Sequence, residues 1–321
     1  MSKTAVSEPA PARCVACAGP MTPWRWAVPQ ETDLQAEYLL LRCDRCGTAS
    51  TAGPPPAERD ELYETGTYQA AAVRGERLVE AVRGLYERQK LTFLSGAGIS
   101  PPARVVDVGA GQGRFVLAAR GRGYDAVGFE PSRRGVEIAA RRGVSLQAAS
   151  LGDAQLDSAD AAAVSCWHVL EHLDDPAAAL ERIAGWLRPD GALLLGVPNL
   201  DSWQAAIAGG RWLHLDVPRH RHHFTPPGVR ALLERGGFTI TAVHQVLVEH
   251  NLFGMWQSWL DRFTSIPAYA YNLVKRNVEP NPRDLAITAG IAALAPLAAM
   301  LEVIAGLAGR GGTMAIVARR R

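Results

Sequence analysis

The feature that most constrains the fold is an apolar segment, residues 104–108, that runs straight into the turn G-A-G-Q-G at residues 109–113. This pattern predicts a buried strand, a turn whose backbone a ligand can approach closely, and a helix. Seventeen residues after the turn, the next apolar segment ends at Glu130. In a doubly wound sheet this carboxylate lies beside the turn, at the distance of a bound ribose. Because Arg114 takes the last position of the dinucleotide fingerprint GxGxxG, NAD is not favoured.

Strand and helix signals alternate along the rest of the chain, which indicates an α/β fold. Predicted strands lie at residues 104–108, 126–129, 144–147, 161–166, 192–197, 238–248 and 313–318. Predicted helices lie at residues 57–98, 115–120, 132–141, 176–187 and 225–235, with Ser132 and Asp175 as N-cap residues. This order predicts a doubly wound, mostly parallel sheet of seven strands with helices on both faces, and a helical insert between the last two strands.

Four segments resemble the class I S-adenosylmethionine-dependent methyltransferases and occur in that family's order. They read VVDVGAGQGRF at 105–115, GFEPS at 128–132, WHVLEHLDDP at 167–176 and GALLLGVPN at 191–199. The last two resemble a bacterial subgroup that includes ubiquinone-type O-methyltransferases, and related sugar methyltransferases also carry an N-terminal zinc module. The resemblance implies a Rossmann-like methyltransferase fold and methyl transfer to oxygen or nitrogen of a small-molecule, sugar or lipid-linked acceptor.

The resemblance also implies which residues bind S-adenosylmethionine. Those implied for the methionine part and the turn that holds it are Tyr68, Asp107, Gly109, Gly111, Gly113 and Trp167. Those implied for the nucleoside are Leu151 and Asp153 near the adenine, and Glu130, whose two oxygens suit the two ribose hydroxyls. A plain strand–helix turn is the alternative interpretation of the glycines, and packing in the core is the alternative for Trp167.

Several histidines are candidates for a general base. Methyl transfer to oxygen or nitrogen requires the acceptor to lose a proton as it attacks, and neutral histidine accepts a proton near pH 7. The candidates are His168, His214, His220 and His223, and Asp216 is a candidate to orient one of them. Residues 212–224 follow the predicted strand 192–197 and are expected at its carboxyl edge, where ligands bind. A basic, solvated lid is the alternative, and Arg219 and Arg221 fit either that or an acidic substrate.

A second divalent metal is not expected. Some relatives carry Glu-x-x-Glu-His at the corresponding position and hold a metal with it, whereas this chain has His168-x-x-Glu171-His172. The first ligand differs, and a histidine there favours softer metals than Mg²⁺. A pair that braces the loop is the alternative interpretation of Glu171 and His172.

Four of the five cysteines occur as two pairs, Cys14-x2-Cys17 and Cys43-x2-Cys46. Each CxxC turn directs two thiolates at one point, so the two pairs predict a zinc ribbon over residues 14–50. Four thiolates complete a tetrahedral shell and leave no open position, which makes the zinc structural. Two separate redox pairs are the alternative. Cys166 lies in an apolar run and is expected to be a buried core residue.

The domain organisation follows from these assignments. We expect a disordered tail at residues 1–13, the ribbon at 14–50, a linker and N-terminal helices at 51–100, and the methyltransferase domain at 101–321. Its insert, residues 249–312, contains the uncharged run 285–301, and a single membrane span is rejected because it would separate two strands of one sheet. Two helices are expected there, as a lid, a homodimer face or a peripheral contact with the inner membrane surface. Without a secretory signal, the expected location is cytoplasmic.

Charge restricts the partners. With 34 basic and 32 acidic residues, the net charge is +2, which argues against a nucleic-acid-binding protein. An RNA methyltransferase that uses the ribbon as a reader is therefore an alternative rather than the main hypothesis. A non-catalytic protein that keeps the cofactor fold is the second alternative.

Overall fold

The computed structural model describes residues 13–30, 37–53, 76–156, 159–248 and 251–321. Its strands are β1 (Met21–Ala27), β2 (Tyr38–Cys43), β3 (Ala49–Thr51), β4 (Arg104–Val108), β5 (Asp125–Glu130), β6 (Gln147–Ala148), β7 (Ala161–Trp167), β8 (Leu187–Pro198), β9 (His222–His223), β10 (Phe238–His244) and β11 (Thr313–Arg320). Its α-helices are α1 (Glu76–Gly96), α2 (Arg114–Arg120), α3 (Arg133–Arg141), α4 (Pro176–Trp186), α5 (Trp203–Ala208), α6 (Pro226–Arg235), α7 (Asn251–Leu260), α8 (Tyr269–Lys275), α9 (Pro282–Ala292) and α10 (Ala295–Leu307).

Seven strands form one sheet in the order β10-β11-β8-β7-β4-β5-β6. The pairs β4–β5, β4–β7, β5–β6 and β7–β8 are parallel, and β10–β11 is antiparallel. Every residue of β7 is buried, as expected for a strand covered by helices on both faces. The predicted α/β fold with a mostly parallel seven-stranded sheet is confirmed.

The predicted N-cap residues start the helices that follow β5 and precede β8. Ser132 Oγ accepts a hydrogen bond from the Gly135 N–H at 3.2 Å. One oxygen of Asp175 accepts from two N–H groups at the start of α4, at 3.1 and 2.9 Å. Each carboxylate or hydroxyl satisfies backbone donors that the first turn of a helix leaves unpaired.

Three predicted strands have wrong boundaries. The strand predicted at residues 192–197 begins five residues earlier, at Leu187, where its pairing with β7 starts. The strand predicted at residues 144–147 is only Gln147–Ala148, because this edge strand pairs with no more than the last two residues of β5. The strand predicted at residues 238–248 ends at His244, where its antiparallel pairing with β11 stops. Of the helix predicted at residues 57–98, the described part is Glu76–Gly96; residues 54–75 lie outside the described residues, as do residues 1–12 of the predicted tail.

The chain divides into two compact units. The sheet unit comprises the described residues of Arg83–Val197, Val229–His244 and Met314–Arg321, and the ribbon unit comprises the described residues of Met1–Val82, Pro198–Gly228 and Gln245–Thr313. Segments far along the chain thus group with the cysteine-rich segment, and the linear division at residues 50 and 100 stays a prediction.

The ribbon unit is built on a second sheet of four strands in the order β1-β2-β3-β9. Its last strand, β9, comes from the middle of the chain and pairs antiparallel with β3, so that Ala49 faces His223 and Ser50 faces His222. An apolar cluster packs beside this sheet and includes Leu40, Trp212 and Val217. The histidine-rich segment is therefore part of the ribbon unit's structure.

The insert forms four described helices, α7 to α10, where the sequence analysis expected two. Polar residues interrupt the apolar segments: the Asp284 carboxylate accepts hydrogen bonds from the N–H and the hydroxyl of Ser265. Asn281 caps α9, its Oδ1 accepting from the Asp284 N–H in the first turn. α10 packs on α7 through Ala298, Ala305 and Met255. Among the described residues, no single helix is long and apolar enough to cross a bilayer; α9 and α10 reach that length only jointly, and they are bent by 68°.

Candidate active site and metal centre

The glycine-rich turn connects β4 to α2, and its three glycines all have positive φ: 65° at Gly109, 53° at Gly111 and 71° at Gly113. A Cβ atom on Gly109 would lie 2.4 Å from Val169 Cγ2, and one on Gly113 would lie 3.0 Å from Val144 Cγ1. A Cβ atom on Gly111 would meet no other heavy atom of the described residues within 4 Å. The turn is therefore closely packed at its ends and open at its centre, which suits a ligand that contacts the backbone.

Glu130, at the end of β5, is held against this turn by backbone donors. One carboxylate oxygen accepts from the Gly111 N–H at 2.7 Å, and the other accepts from the Ser132 N–H at 2.8 Å. Burial raises the pKa of Glu130, and these two N–H groups oppose the increase. Since a carboxylate oxygen has more than one lone pair, both oxygens can accept again, from a pair of hydroxyl groups.

Asp107 lies on β4 below the turn and is buried. Its burial raises the pKa of the carboxyl to about 6, although the nearby Lys90 ammonium favours the charged form. Asp107 is thus mostly ionised at pH 7 and neutralised locally by Lys90. A bracing role for Asp107 stays a prediction.

Lys90 on α1 was missed by the sequence analysis. The residue is 5% exposed, and its Nζ lies 3.1 Å from Glu87 Oε2. The ammonium also lies over three aromatic rings, 4.6 Å from the centre of Phe115, 4.8 Å from Tyr86 and 5.4 Å from Trp167. A buried lysine needs such compensation, because a desolvated charge is costly. The only available signal was a Glu–Lys pair three residues apart on a helix with no recognised motif.

Trp167, at the end of β7, is largely buried. Its ring meets Tyr86 edge to face with a 5.5 Å separation, and a Cβ atom on Gly196 would lie 2.3 Å from the Trp167 ring. The glycine of the neighbouring strand β8 thus makes room for the indole. These contacts favour the packing interpretation, and a contact between Trp167 and the cofactor stays a prediction.

His168 follows Trp167 directly and has φ of +53°, the left-handed region that non-glycine residues rarely adopt. Its Nδ1 lies 2.9 Å from Glu171 Oε1, and Glu171 is fully buried. Because a carboxylate only accepts, Nδ1 carries the proton and the ring's lone pair is on Nε2. Residues held in such backbone conformations concentrate at functional sites.

The other three candidate histidines belong to the ribbon unit and are buried, which is contrary to a solvated lid. His220 Nδ1 donates to the His214 carbonyl at 2.9 Å. The Thr51 hydroxyl donates its single hydrogen to the His220 carbonyl, so His223 Nε2, 3.1 Å from the same hydroxyl, must be the donor in that contact. Burial, reinforced by His222, lowers the pKa of His223 to about 3. His223 is therefore neutral and tied to β3.

Asp216 has a different main partner from the one expected. Both of its oxygens accept from Arg219, with Nε to Oδ2 at 2.9 Å, while His220 Nε2 lies 3.8 Å from Oδ2. A bidentate arginine–carboxylate pair is the stronger of these interactions. Asp216 thus positions Arg219 first and His220 only secondarily.

The remaining candidates for nucleoside binding give less information. Leu151 is buried, and the exposed Asp153 accepts a hydrogen bond from Ser150 Oγ at 2.6 Å. Tyr68 lies outside the described residues. All three stay predictions.

The four paired cysteines converge as the sequence predicted. Their sulfur atoms all lie within 4.8 Å of one another, with Cys14 Sγ to Cys46 Sγ and Cys17 Sγ to Cys43 Sγ both at 3.5 Å. Four sulfurs around one zinc at about 2.3 Å lie roughly 3.8 Å apart, so the cluster needs only small shifts to fit this ion. Cys166, by contrast, is fully buried on β7, and burial raises the pKa of its thiol.

The sequence profile of a family described as "Methyltransferase domain" matches residues 79–243, which is just over half of the chain. The chain belongs to this S-adenosylmethionine-dependent methyltransferase family. The matched region contains the glycine-rich turn, Glu130 and His168. The methyltransferase resemblance found in the sequence is thereby confirmed.

Curated relatives of this methyltransferase include ubiquinone biosynthesis O-methyltransferases. That of Hahella chejuensis is 26% identical over 182 residues, covering 53% of this chain and 76% of the relative. That of Xanthomonas campestris is 27% identical over 146 residues, covering 42% of this chain and 60% of the relative. Among solved structures, the Burkholderia thailandensis 1,6-didemethyltoxoflavin-N1-methyltransferase is 18% identical, with a TM-score of 0.48 over 92% of this chain and 99% of that one.

Proposed function

We propose that this methyltransferase transfers a methyl group to a hydroxyl or amine of a small-molecule, sugar or lipid-linked acceptor, with His168 as the general base. The arrangement that carries the proposal is the fixed pair His168–Glu171 at the carboxyl end of β7, two strands from Glu130 and next to the strand that ends in the glycine-rich turn. The names of the curated relatives support an oxygen acceptor.

The residues around the turn fit S-adenosylmethionine. The open space at Gly111 accommodates a ligand against the backbone, and the Glu130 carboxylate is already oriented by Gly111 and Ser132 to accept from a diol. Gly109, Gly113 and Asp107 would support this turn rather than contact the ligand through side chains. When bound, S-adenosylmethionine supplies an electrophilic methyl group on a positively charged sulfur.

His168 is favoured over the other histidines for a structural reason. Glu171 holds the proton on Nδ1, which leaves Nε2 as the basic atom and stabilises the imidazolium that forms when Nε2 takes the acceptor's proton. His223 instead donates through Nε2 and holds β9 on β3. Binding and orientation of the acceptor, together with removal of its proton, are the protein's contributions to the rate.

The test compares His168→Ala with His223→Ala. We expect His168→Ala to lower turnover about 10²- to 10⁴-fold, the usual value of general-base catalysis, while the calorimetric affinity for S-adenosylhomocysteine stays unchanged. Glu171→Gln should lower turnover less than His168→Ala does, and it should shift the pH dependence of turnover. His223→Ala should mainly lower the melting temperature. Full turnover in His168→Ala would contradict the proposal.

Acceptor class is determined with panels of phenols, sugars and amines, each with and without a lipid tail. Binding of S-adenosylhomocysteine without turnover on any of them would favour the non-catalytic alternative. A salt-dependent mobility shift with RNA would favour the RNA methyltransferase.

We also propose that Cys14, Cys17, Cys43 and Cys46 hold one structural zinc ion. The support is the convergence of all four sulfurs and the absence of an open coordination position in a four-thiolate shell. The ion would fasten β2 and the turn after it to the segment before β1.

A further inference from the structure

The last helix of the insert, α10, exposes its large apolar residues to solvent. Leu297, Met300, Ile304 and Leu307 recur at helical spacing on the outward face of α10, where Met300 is 53% and Leu307 78% exposed. The inward face presents smaller side chains, such as Ala298 and Ala305 against α7. A helix of a globular protein normally buries its largest apolar residues.

The one charged residue between residues 285 and 309, Glu302, points inward. One of its oxygens accepts from Gln204 Nε2 and the other from the Gly312 N–H, both at 2.8 Å. From residue 285 to residue 309 the outward side of α9 and α10 therefore carries no charge. We call this surface the apolar face; its exposed members are Leu285, Leu294, Leu297, Met300, Val303, Ile304 and Leu307.

Exposed charge around the apolar face is predominantly positive. Of the five acidic residues in the insert, Glu249 lies outside the described residues; Asp261, Asp284 and Glu302 are buried, and Glu279 is exposed. Four arginines are exposed, and two of them flank the apolar face in sequence; the four are Arg262, Arg276, Arg283 and Arg310. Three of the described acidic residues are thus buried, whereas the four arginines lie at the surface.

We propose that the apolar face binds an anionic membrane surface, with α9 and α10 lying in the interface and the arginines on lipid phosphates. An interfacial helix combines an apolar side with flanking cations, and the two helices bent by 68° are individually too short to span a bilayer. A symmetric pairing of two copies would also cover the apolar face. Such a pairing repeats the same arginines on both sides of the contact, however, whereas an anionic surface neutralises them.

The experiment is sedimentation of the full chain with vesicles of phosphatidylcholine alone and of phosphatidylcholine mixed equally with phosphatidylglycerol. We expect binding to the anionic vesicles that weakens as salt is raised, and much weaker binding to the neutral ones. Arg283→Gln combined with Arg310→Gln should weaken binding to anionic vesicles about fivefold per arginine. Met300→Gln combined with Leu307→Gln should weaken it at least about tenfold.

Leu85→Gln is the matched control, because Leu85 is 51% exposed but lies on α1 in the sheet unit. This variant should sediment like the wild type, and all variants should keep the wild-type melting temperature because the altered side chains are exposed. Wild-type protein that stays in the supernatant with both kinds of vesicle would overturn the proposal. An equal loss of vesicle binding in Leu85→Gln would also overturn it. So would a dimer, detected by light scattering, that dissociates when Met300→Gln and Leu307→Gln are combined.

Discussion

Replacing Gly111 by alanine separates the stability of the glycine-rich turn from its function. The backbone at Gly111 has φ of 53°, so an alanine there adopts the left-handed conformation at a cost of about 1–2 kcal/mol. No described neighbour lies within 4 Å of the new methyl group, so no clash adds to this cost. The methyl group instead occupies the open space assigned to the cofactor, and an overlap there costs roughly 1–3 kcal/mol of binding, or about 5- to 150-fold in affinity.

Two other glycines serve as controls. Gly143, after α3, also has positive φ (77°) and no described atom within 4 Å of its Cβ position, and it is the next residue, Val144, that packs against Gly113. Gly143→Ala should therefore match the stability loss of Gly111→Ala and bind S-adenosylhomocysteine normally. Gly109→Ala adds the 2.4 Å overlap with Val169 and should lose about 1–3 kcal/mol more stability than either.

Urea denaturation gives the free energy of unfolding of the three variants, and isothermal titration calorimetry gives their affinity for S-adenosylhomocysteine. The reasoning fails if Gly111→Ala binds within twofold of the wild type while its stability matches that of Gly143→Ala. The space at Gly111 would then not be the place where the cofactor approaches the backbone.

Three further predictions concern metal, pH and the buried lysine. Atomic emission should find about one zinc per chain and much less in Cys43→Ser, whose melting temperature should fall, because three thiolates hold the ion less well. Burial raises the pKa of Glu302 from 4.5 to about 7, so its contribution to stability is complete below pH 4.5 and is lost as pH rises through 7. The loss of stability is about 3 kcal/mol. Glu302→Gln should remove it, so the free energies of unfolding from urea denaturation at pH 5 and pH 8 should differ less in the variant than in the wild type. Lys90→Met should raise the pKa of Asp107 above about 6, by roughly one unit, because the nearby positive charge is lost. The pH below which the affinity for S-adenosylhomocysteine falls should rise by the same amount. If that pH is unchanged, Lys90 does not stabilise the charged form of Asp107.

The predictable parts of the structure are those set by neighbours in sequence. The turn at residues 109–113, the N-cap at Ser132 and the two CxxC turns depend on a few adjacent residues, and each forms as expected. Glu130 also follows from the sequence, since parallel strands bring their carboxyl ends to one edge of a sheet.

Features that depend on contacts between distant segments were not predictable. β9 has only two residues, His222 and His223, and a two-residue strand has no periodicity to recognise. Lys90 looks like an ordinary exposed helix residue, and only the tertiary fold surrounds it with aromatic rings. The histidines of residues 214–223 were interpreted from their chemistry, whereas their burial and their hydrogen bonds to β3 arise from long-range pairing.

The pairing of β9 with β3 also sets an order of events during synthesis. His223 and Thr51 are 172 positions apart, so the sheet of the ribbon unit stays incomplete until the ribosome has made most of the chain. The four cysteines, by contrast, are available once residue 46 has emerged. A ribbon that binds zinc early would therefore keep the edge of β3 unpaired until β9 has been synthesised. If the gene were divided at the end of the cysteine-rich segment, two fragments would result. One would have the edge of β3 unpaired, and the other would have Trp212 without the apolar residues that bury it.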